Sequence, residues 1–295
     1  MGKYFNPEEL TKFAGFSVIA KNLVNGFLTG LHPALRKGIS TDFMEHREYS
    51  FGDETKRIDW KVLAKSDRYF IREYREEANL SCSILLDASA SMEYASGKIS
   101  KYKYSAFLSA ALAYLMTIQQ DKTGLVIFDD RIRSFIPAKS GKKHLSLIFE
   151  ELENSKPSGS TMLPEVLLKT AGILKKRGVT VLITDLYGDV ETIIKNTKYL
   201  LSKNSEVIVF QVLDEDELDL PFKEPFMFES LEQGESVLAL PNMIREEYRL
   251  IIRAFTDKYR KDFNAAGIDY TLLSTKTPVE EALLFYLERR ARVAG

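Results

Sequence analysis

Apolar runs of strand length alternate with longer amphipathic segments from Leu80 to the end of the chain. Nearly continuous apolar character is typical of a strand buried on both faces of a sheet, and an amphipathic segment is typical of a helix covering one face. The alternation therefore predicts an α/β fold with a doubly wound, mostly parallel sheet of the Rossmann-like kind. The predicted buried strands are Ser81–Leu86, Thr123–Phe128, Val179–Thr184, Glu206–Leu213 and Ile268–Leu273.

Two parts of the chain depart from this alternation. Residues 1–79 combine a loose helical periodicity with short extended stretches, and we interpret them as an N-terminal accessory segment before an α/β domain at 80–295. Between residues 214 and 241, an acidic run leads to two extended stretches with Gln233-Gly234 between them. A short glycine-containing turn between extended stretches predicts a β-hairpin, so we expect a hairpin insertion at 214–241.

The first buried strand ends in Asp87, and Ser89 and Ser91 follow at alternate positions, which gives the pattern Asp-x-Ser-x-Ser. In an open α/β sheet, ligands bind outside the carboxyl ends of the strands. Oxygen side chains at alternate positions of a tight turn can converge on one point, and carboxylate and hydroxyl oxygens are hard donors. The pattern indicates a site for Mg²⁺, or for Mn²⁺ or Ca²⁺, rather than for zinc.

Two further loops supply oxygen side chains at the same predicted edge of the sheet. Asp185 directly follows another buried strand, and Thr161 lies in a Ser-Gly-Ser-Thr loop just before a predicted helix. The candidate metal ligands are therefore Asp87, Ser89, Ser91, Thr161 and Asp185, a set of two carboxylates and three hydroxyls. In the alternative interpretation, Asp87 and Asp185 only cap helices and bind no metal.

The hydroxyl groups in this set have a consequence for the kind of site. A serine or threonine oxygen coordinates a cation without adding formal charge, so the ion stays electron-poor when the carboxylates bind only in part or through water. Such an ion favours an incoming carboxylate from another molecule in its open coordination position. The composition therefore indicates a metal that holds an aspartate or glutamate of a partner, rather than a buried structural ion.

The Asp-x-Ser-x-Ser pattern, with the later threonine loop and strand-terminal aspartate, resembles the metal-ion-dependent adhesion site of von Willebrand factor A domains. A more specific stretch runs from Arg47 to Lys65 and reads Arg-Glu-Tyr-Ser-Phe-Gly-Asp-Glu-Thr-Lys-Arg-Ile-Asp-Trp-Lys-Val-Leu-Ala-Lys. It resembles the signature of the bacterial family called domain of unknown function 58, in which a von Willebrand A-like domain follows directly. The resemblance covers the chain from about Gly30 to its C-terminus.

The resemblance implies particular roles for the candidate ligands. Ser89, Ser91 and Thr161 would contact the metal directly, and Asp87 and Asp185 would orient them or bind through water. Members of the family often lie beside MoxR-type AAA+ ATPases, which implies an adaptor or chaperone-like role with such a motor or its client. The chain departs from the family at Met162, where a polar residue often follows the threonine, and at Lys65, where arginine is common.

Composition and charge bear on the classes of partner and on the cellular location. The chain of 295 residues carries 41 basic and 42 acidic side chains, a formal net charge of -1, which does not favour general binding to nucleic acid or to an anionic membrane. The N-terminus has no apolar core of a signal peptide, the longest apolar stretch is too short to span a bilayer, and the single Cys82 fits a reducing compartment. We therefore expect a cytoplasmic protein without membrane insertion.

A metal-dependent phosphohydrolase is the alternative function, because such enzymes also carry an aspartate at the end of a strand. They need a second carboxylate two residues later as general acid and base, and this chain has Ser89 there. A non-catalytic interaction module is therefore the preferred prediction. We interpret the acidic run from Asp214 to Asp219 as a solvated face, with a docking surface for a basic partner as the alternative.

Overall fold

Ten strands and nine helices are present in the part of the chain that the computed structural model describes, which is residues 5–11, 15–30, 43–50, 58, 60, 62–63, 68–74, 80–174, 178–203, 206–229 and 236–293. The strands are β1 Phe43–Glu48, β2 Phe70–Tyr74, β3 Ser81–Asp87, β4 Lys122–Phe128, β5 Ile132–Lys139, β6 Val179–Thr184, β7 Glu206–Leu213, β8 Phe226–Glu229, β9 Ser236–Ala239 and β10 Asp269–Ser274. The helices are α1 Pro7–Leu10, α2 Phe16–Gly30, α3 Lys101–Ile118, α4 Lys142–Asn154, α5 Leu163–Ile173, α6 Val190–Lys203, α7 Glu215–Asp219, α8 Pro241–Ala265 and α9 Val279–Val293.

The central sheet has six strands in the order β10-β7-β6-β3-β4-β5. All neighbouring pairs are parallel except β4 and β5, which are antiparallel at one edge. Every residue of β6 is buried, whereas burial alternates along β5, as expected for a central parallel strand and an edge strand. This arrangement confirms the predicted mostly parallel α/β sheet.

Helices cover both faces of this sheet, as a doubly wound fold requires. On one face, α5, α6 and α8 pack against alternate residues of the parallel strands, such as Leu85 and Leu182. On the other face, α3 contacts β3, β4 and β7, and Phe285 of α9 contacts the ring of Phe210 in β7 at 5.9 Å. Successive side chains of a strand point to opposite faces, so each parallel strand contributes to two apolar layers.

The N-terminal residues belong to the same unit as the sheet. By their contacts, Met1–Gly30 and Leu80–Gly295 form one unit, and Leu31–Asn79 form the other. The division has the predicted boundary between residues 79 and 80, but it places residues 1–30 in the unit of the sheet instead of in the accessory segment. The apolar face of α2 packs on α3, with the rings of Phe16 and Phe107 at 5.6 Å, and the backbone N–H of Phe5 donates to Glu280 Oε1 at 2.9 Å.

The smaller unit contains β1 and β2, which pair antiparallel. Next to them, the rings of Tyr49 and Tyr69 lie 6.3 Å apart. Much of the signature from Arg47 to Lys65, including 51–57, 59, 61 and 64–65, lies outside the described residues. In the described part of the chain, no helix is both long enough and apolar enough to cross a membrane.

The predicted insertion at 214–241 contains a hairpin and also a short helix. Strands β8 and β9 pair antiparallel, with Phe226 opposite Ala239, so the predicted hairpin is confirmed. Helix α7 precedes the hairpin, and Asp214 caps it with a capping box that includes Glu217. The turn at Gln233-Gly234 lies outside the described residues.

The order of the strands fixes where a ligand site can form. The chain passes from β3 to β4 on one side, and β6 later pairs with β3 on its other side. The carboxyl ends of β3 and β6 therefore flank a topological switch point, where the loops of an open α/β sheet diverge and leave a crevice. Asp87 ends β3 and Asp185 directly follows β6, so both predicted carboxylates lie at this crevice.

Candidate metal centre

Asp87 is fully buried at the end of β3, and two hydrogen bonds fix its carboxylate. The backbone N–H of Ser89 donates to Oδ1 at 2.9 Å, and the hydroxyl of Thr184 donates to Oδ2 at 2.6 Å. Residues Ala90–Glu93 then form a single 3₁₀ turn. This tight turn keeps the side chains that follow the aspartate next to the strand end.

Ser91 connects the turn to the end of β6. Its hydroxyl donates to Asp185 Oδ2 at 2.7 Å, and its oxygen lies 3.1 Å from the hydroxyl oxygen of Ser89. Because a hydroxyl has one proton and two lone pairs, donation to Asp185 leaves the lone pairs of Ser91 available to a cation or to Ser89. The structure thus brings Asp185, Ser91 and Ser89 together in the way the sequence predicted.

Two backbone hydrogen bonds fasten the threonine loop to the Asp-x-Ser-x-Ser turn. The N–H of Ser158 donates to the carbonyl of Ala88 at 2.9 Å, and the N–H of Ala90 donates to the carbonyl of Gly159 at 2.9 Å. Gly159 has a φ of +73°, a conformation that favours glycine. Thr161 follows this loop and lines the same pocket as Ser91, so all five predicted ligands lie around one end of the sheet.

Lys101, which the sequence analysis did not single out, is fully buried at this site. Its ammonium nitrogen lies 2.9 Å from Asp185 Oδ2 and 2.6 Å from Glu217 Oε1, and 5.1 Å from the ring centre of Tyr187. Burial by itself lowers the pKa of Lys101, but the charges of Asp185 and Glu217 outweigh it, and the net pKa is raised. Lys101 is therefore a buried cation that contacts one of the candidate ligands.

A signal for Lys101 was present in the sequence. It is the first residue of α3, a helix whose other buried residues are almost all apolar or small. A cation at a helix N-terminus opposes the helix dipole and needs a compensating anion. The acidic run supplies this anion, because Glu217 Oε1 of α7 accepts a hydrogen bond from the ammonium group of Lys101.

The interpretation of the acidic run as a solvated face is therefore corrected by the structure. Asp214 is fully buried and accepts a hydrogen bond from Thr275 Oγ1 at 2.8 Å. Asp216 accepts the phenol proton of Tyr94 at 2.9 Å. Asp214, Asp216 and Glu217 are thus a helix cap and internal acceptors, whereas Asp219 is exposed and forms an ion pair with Arg249.

The backbone after Asp185 is held in an uncommon conformation. Leu186 has a φ of 61°, in the left-handed region that side chains other than glycine seldom adopt, and it is fully buried. Its N–H donates to Thr184 Oγ1 at 3.1 Å, and its carbonyl accepts from the hydroxyl of Tyr259 at 2.9 Å. The surrounding contacts therefore hold this strained turn, which is a common feature of functional sites.

A hydrogen-bonded chain behind the site supports Asp185 further. Gln211 Nε2 donates to the carbonyl of Asp185 at 2.8 Å, and the hydroxyl of Tyr270 donates to Gln211 Oε1 at 2.5 Å. Both residues come from strands on the far side of β6. The position of Asp185 is thus set by three neighbouring strands of the sheet.

The electrostatics of Asp87 favour a cation at this place. Burial, and then the negative charge of Asp185, raise the pKa of Asp87 from its ordinary value of 3.8 to about 7. Lys101 hydrogen-bonds Asp185 and Glu217, so its charge is directed to them. A divalent ion beside the two serine hydroxyls would stabilise the charged form of Asp87, and the donor set fits a hard cation.

The donor set differs from an ordinary carboxylate or histidine cage. Within the described ranges, no group of three or more His, Cys, Asp or Glu side chains is placed to hold a metal. The candidate centre has two carboxylates and relies on hydroxyl oxygens for the rest. If an ion binds here, Ser91 and Thr161 would be its ligands on the side that faces the pocket.

A cavity of about 610 Å³ opens directly beside these hydroxyls. Ser91 and Thr161 are among its lining residues, and most of the others are apolar or aromatic. These others come mainly from the residues after β6, from α7 and the segment after it, from the hairpin and from the start of α8. A pocket of this size with a few polar groups is typical of a ligand-binding site.

Comparison with known proteins agrees with the sequence signature. Residues 45–258 match the family described as "Protein of unknown function DUF58". The chain is similar to "Uncharacterized protein Rv1480" of Mycobacterium tuberculosis, with 21% identity over 236 residues that cover 79% of this chain and 74% of the relative.

Two solved structures are similar to this chain at low identity. The conserved hypothetical protein BatB from Bacteroides thetaiotaomicron is 16% identical, with a TM-score of 0.47, over 72% of this chain and 99% of that one. The SpRpn10 VWA domain is 10% identical, with a TM-score of 0.38, over 69% of this chain and 93% of that one. Similarity at this level carries no conclusion about function. The match to residues 45–258, nearly three quarters of the chain, shows that it belongs to the DUF58 family.

Proposed function

We propose that this chain is a non-catalytic protein-interaction module that holds an acidic residue of a partner through a divalent metal ion. The observation that carries the proposal is the hydrogen bond from Ser91 Oγ to Asp185 Oδ2. This bond directs the hydroxyl proton of Ser91 to the buried Asp185. The lone pairs of the Ser91 oxygen are then available beside the pocket, which Thr161 also lines. The ion is proposed to be Mg²⁺, and Mn²⁺ or Ca²⁺ would suit the same oxygen donors.

In this proposal the five residues divide into two kinds. Ser89, Ser91 and Thr161 offer hydroxyl oxygens to the ion. Asp87 and Asp185 act by orienting the hydroxyls and by balancing charge, since both already accept hydrogen bonds from the serines. Asp185 does this by accepting the proton of Ser91, and Asp87 by accepting the backbone N–H of Ser89.

The same division explains why an external carboxylate would bind. Hydroxyl ligands add no charge to the ion, and the charge of Asp185 is shared with Lys101. An ion held in this way keeps an open position and a residual attraction for an anion. An aspartate or glutamate side chain that enters from the pocket would complete its coordination.

The resemblance to the family suggests the kind of partner. We propose a MoxR-type AAA+ ATPase or its client as the protein that supplies the acidic residue. Co-expression of such an ATPase with this chain, followed by affinity capture in Mg²⁺ and in EDTA, tests this part. Equal capture in both conditions would contradict a metal-mediated contact with that partner.

The metal site itself is tested without any partner. Titration of the purified chain with Mn²⁺, followed by electron paramagnetic resonance, should show one bound ion that excess Mg²⁺ displaces. Asp87→Ala and Ser91→Ala should abolish this binding while circular dichroism stays unchanged. The control Ser96→Ala alters an exposed serine of the following loop and should bind Mn²⁺ like the parent chain.

Two results would contradict the proposal. Unchanged Mn²⁺ binding in both site variants would show that the ion binds elsewhere. Metal-dependent hydrolysis of p-nitrophenyl phosphate that is lost in Asp87→Ala would show an enzyme, since an interaction module has no reason to cleave a phosphate ester.

A further inference from the structure

We infer that the cavity beside the candidate metal centre receives a bulky apolar side chain that neighbours the partner's metal-bound acidic residue. The ligand is thus a protein segment in which an aspartate or glutamate is followed or preceded by a large apolar residue, with a basic residue close by. The inference rests on the proposed function, because it places the acidic residue on the metal.

The cavity joins two different chemical surfaces. Its lining includes the hydroxyl-bearing residues Ser91 and Thr161, where the carboxylate would bind. It also includes large apolar or aromatic side chains of the segment after α7, the hairpin and α8, namely Leu220, Phe222, Phe228, Ile244 and Tyr248. A side chain that enters beside the carboxylate would be buried against these walls, and burial of a leucine or phenylalanine strengthens binding.

The polar groups that line the cavity are largely occupied within the chain. Asp216 accepts the hydroxyl of Tyr94, Glu217 accepts the ammonium of Lys101, and the hydroxyl of Tyr248 donates to the carbonyl of Glu217. These groups have partners within the chain, so an apolar ligand group that covers them removes no unpaired polar atom from water. The middle of the cavity therefore suits an apolar group better than a polar one.

A protein ligand fits this place better than a small molecule, because the apolar surface continues outside the cavity. Val237 lies opposite Phe228 on the same face of the hairpin and is exposed, and Leu240 and Met243 are exposed where α8 begins. Exposed apolar side chains next to a cavity are typical of interaction sites, and methionine is enriched in them. A small carboxylic acid would leave this surface uncovered, whereas a protein segment could cover it.

The charges that line the cavity indicate which residues of the ligand segment lie next to its large apolar residue. Glu229 at the end of β8 lines the cavity and is exposed, and Asp216 of α7 also lines it. These carboxylates disfavour a second acidic residue in the ligand and favour lysine or arginine near the hairpin. The segment is therefore expected to carry one acidic, one large apolar and one basic residue in close succession.

Selection from a random peptide library displayed on phage tests the inference. The full chain is immobilised in Mg²⁺, and bound phage are eluted with EDTA, so that only metal-dependent ligands are collected. We expect the collected peptides to share an acidic residue adjacent to Phe, Leu, Ile, Met or Trp. A labelled peptide from this pool should lose about tenfold or more in affinity when its apolar residue is replaced by alanine.

A variant of the chain keeps the test independent of the peptide pool. Ala239→Trp fills the cavity from the hairpin side and should lower the affinity for the labelled peptide about tenfold or more. The matched control Leu147→Trp places the same indole ring at an exposed position of α4 and should leave the affinity unchanged. Mn²⁺ binding and circular dichroism should be the same in both variants as in the parent chain.

The outcomes separate this inference from the proposed function. EDTA-eluted peptides that share an acidic residue without an apolar neighbour would overturn the inference and leave the proposal of a metal-bound carboxylate intact. Absence of Mn²⁺ binding would overturn the proposed function and this inference with it. If hydrocinnamate binds in a metal-dependent way and no peptide is enriched, the ligand is a small acid and the inference is wrong.

Discussion

The ammonium nitrogen of Lys101 lies 2.9 Å from Asp185 Oδ2, the oxygen that also accepts the hydroxyl proton of Ser91. One carboxylate oxygen thus receives a buried cation and a candidate metal ligand. Lys101 also contacts Glu217 of the insertion. It therefore joins the end of β6 to α7 and holds the metal side and the pocket side of the site in fixed positions.

Loss of this cation should destabilise the fold strongly. Lys101→Met would leave Asp185 and Glu217 buried without their partner, and breaking a buried ion pair on one side costs about 3–5 kcal/mol. We expect urea denaturation to show a fall of this size in the free energy of unfolding.

Lys103→Met is the matched control, since Lys103 lies on the first turns of the same helix with an exposed side chain. Its free energy of unfolding should stay within about 0.5 kcal/mol of the parent value. Adding Glu217→Gln to Lys101→Met should restore part of the loss, because one of the two unpaired charges is then removed. A full additive loss in the double variant would contradict the ion pair.

Metal should stabilise the chain through the hydroxyl ligands. A ligand that binds only the folded state raises the free energy of unfolding by RT ln(1 + [L]/Kd), which is about 2.7 kcal/mol at a hundred times Kd. Thermal unfolding of the parent chain and of Ser96→Ala should therefore shift upward in excess Mg²⁺. Ser91→Ala should show no such shift, and an equal shift in all three proteins would argue against Ser91 as a ligand.

Stability without metal should depend on pH through Asp87, whose folded-state pKa is raised to about 7. The unfolded chain loses this proton near 3.8, so the stabilising contribution is complete below that pH and is lost as pH rises through about 7. In EDTA, we expect the free energy of unfolding to fall from about pH 5 to about pH 8 more in the parent chain than in Asp87→Asn. Parallel curves for the two proteins would contradict this burial of charge.

A pair of glycine substitutions tests the packing of the sheet edge. An added Cβ at Gly124 of β4 would lie 2.8 Å from the backbone N of Ala138 and 2.8 Å from the carbonyl O of Ile136. Gly124→Ala should lower the free energy of unfolding by about 3 kcal/mol, because backbone atoms of β5 cannot move aside cheaply. Gly172→Ala, with no atom within 4 Å of the added Cβ, should instead raise it by about 0.5 kcal/mol. Denaturation curves that rank the two variants in the opposite order would refute this packing.

Much of the sheet could be predicted because its strands are buried on both faces. Val179–Thr184 and Glu206–Leu213 have the predicted bounds, since continuous apolar character between polar or glycine residues leaves few alternatives. The positions of Asp87 and Asp185 followed from the rule that parallel strands end at one edge. Metal binding by these residues stays a prediction.

The rest depends on contacts between distant segments, which periodicity along the chain does not encode. The apolar face of α2 showed that it must pack on something, but only the tertiary structure places it on α3. The partnership of Lys101 with Glu217 joins residues 116 positions apart, and an acidic run is usually a solvated face. The pocket was not predictable for the same reason, as its walls come from several separate parts of the chain between Ser91 and Tyr248.

The hairpin β8–β9 is an insertion after β7, and it has no strand in the central sheet. It nevertheless contributes Phe228 and Ala239 to the pocket, while the candidate metal ligands lie on loops of the sheet itself. In the proposed function, capture of a carboxylate and choice of its neighbouring residue would therefore depend on separate stretches of sequence. Exchange of the hairpin between homologous chains should accordingly redirect which partner is bound and leave affinity for the ion unaltered.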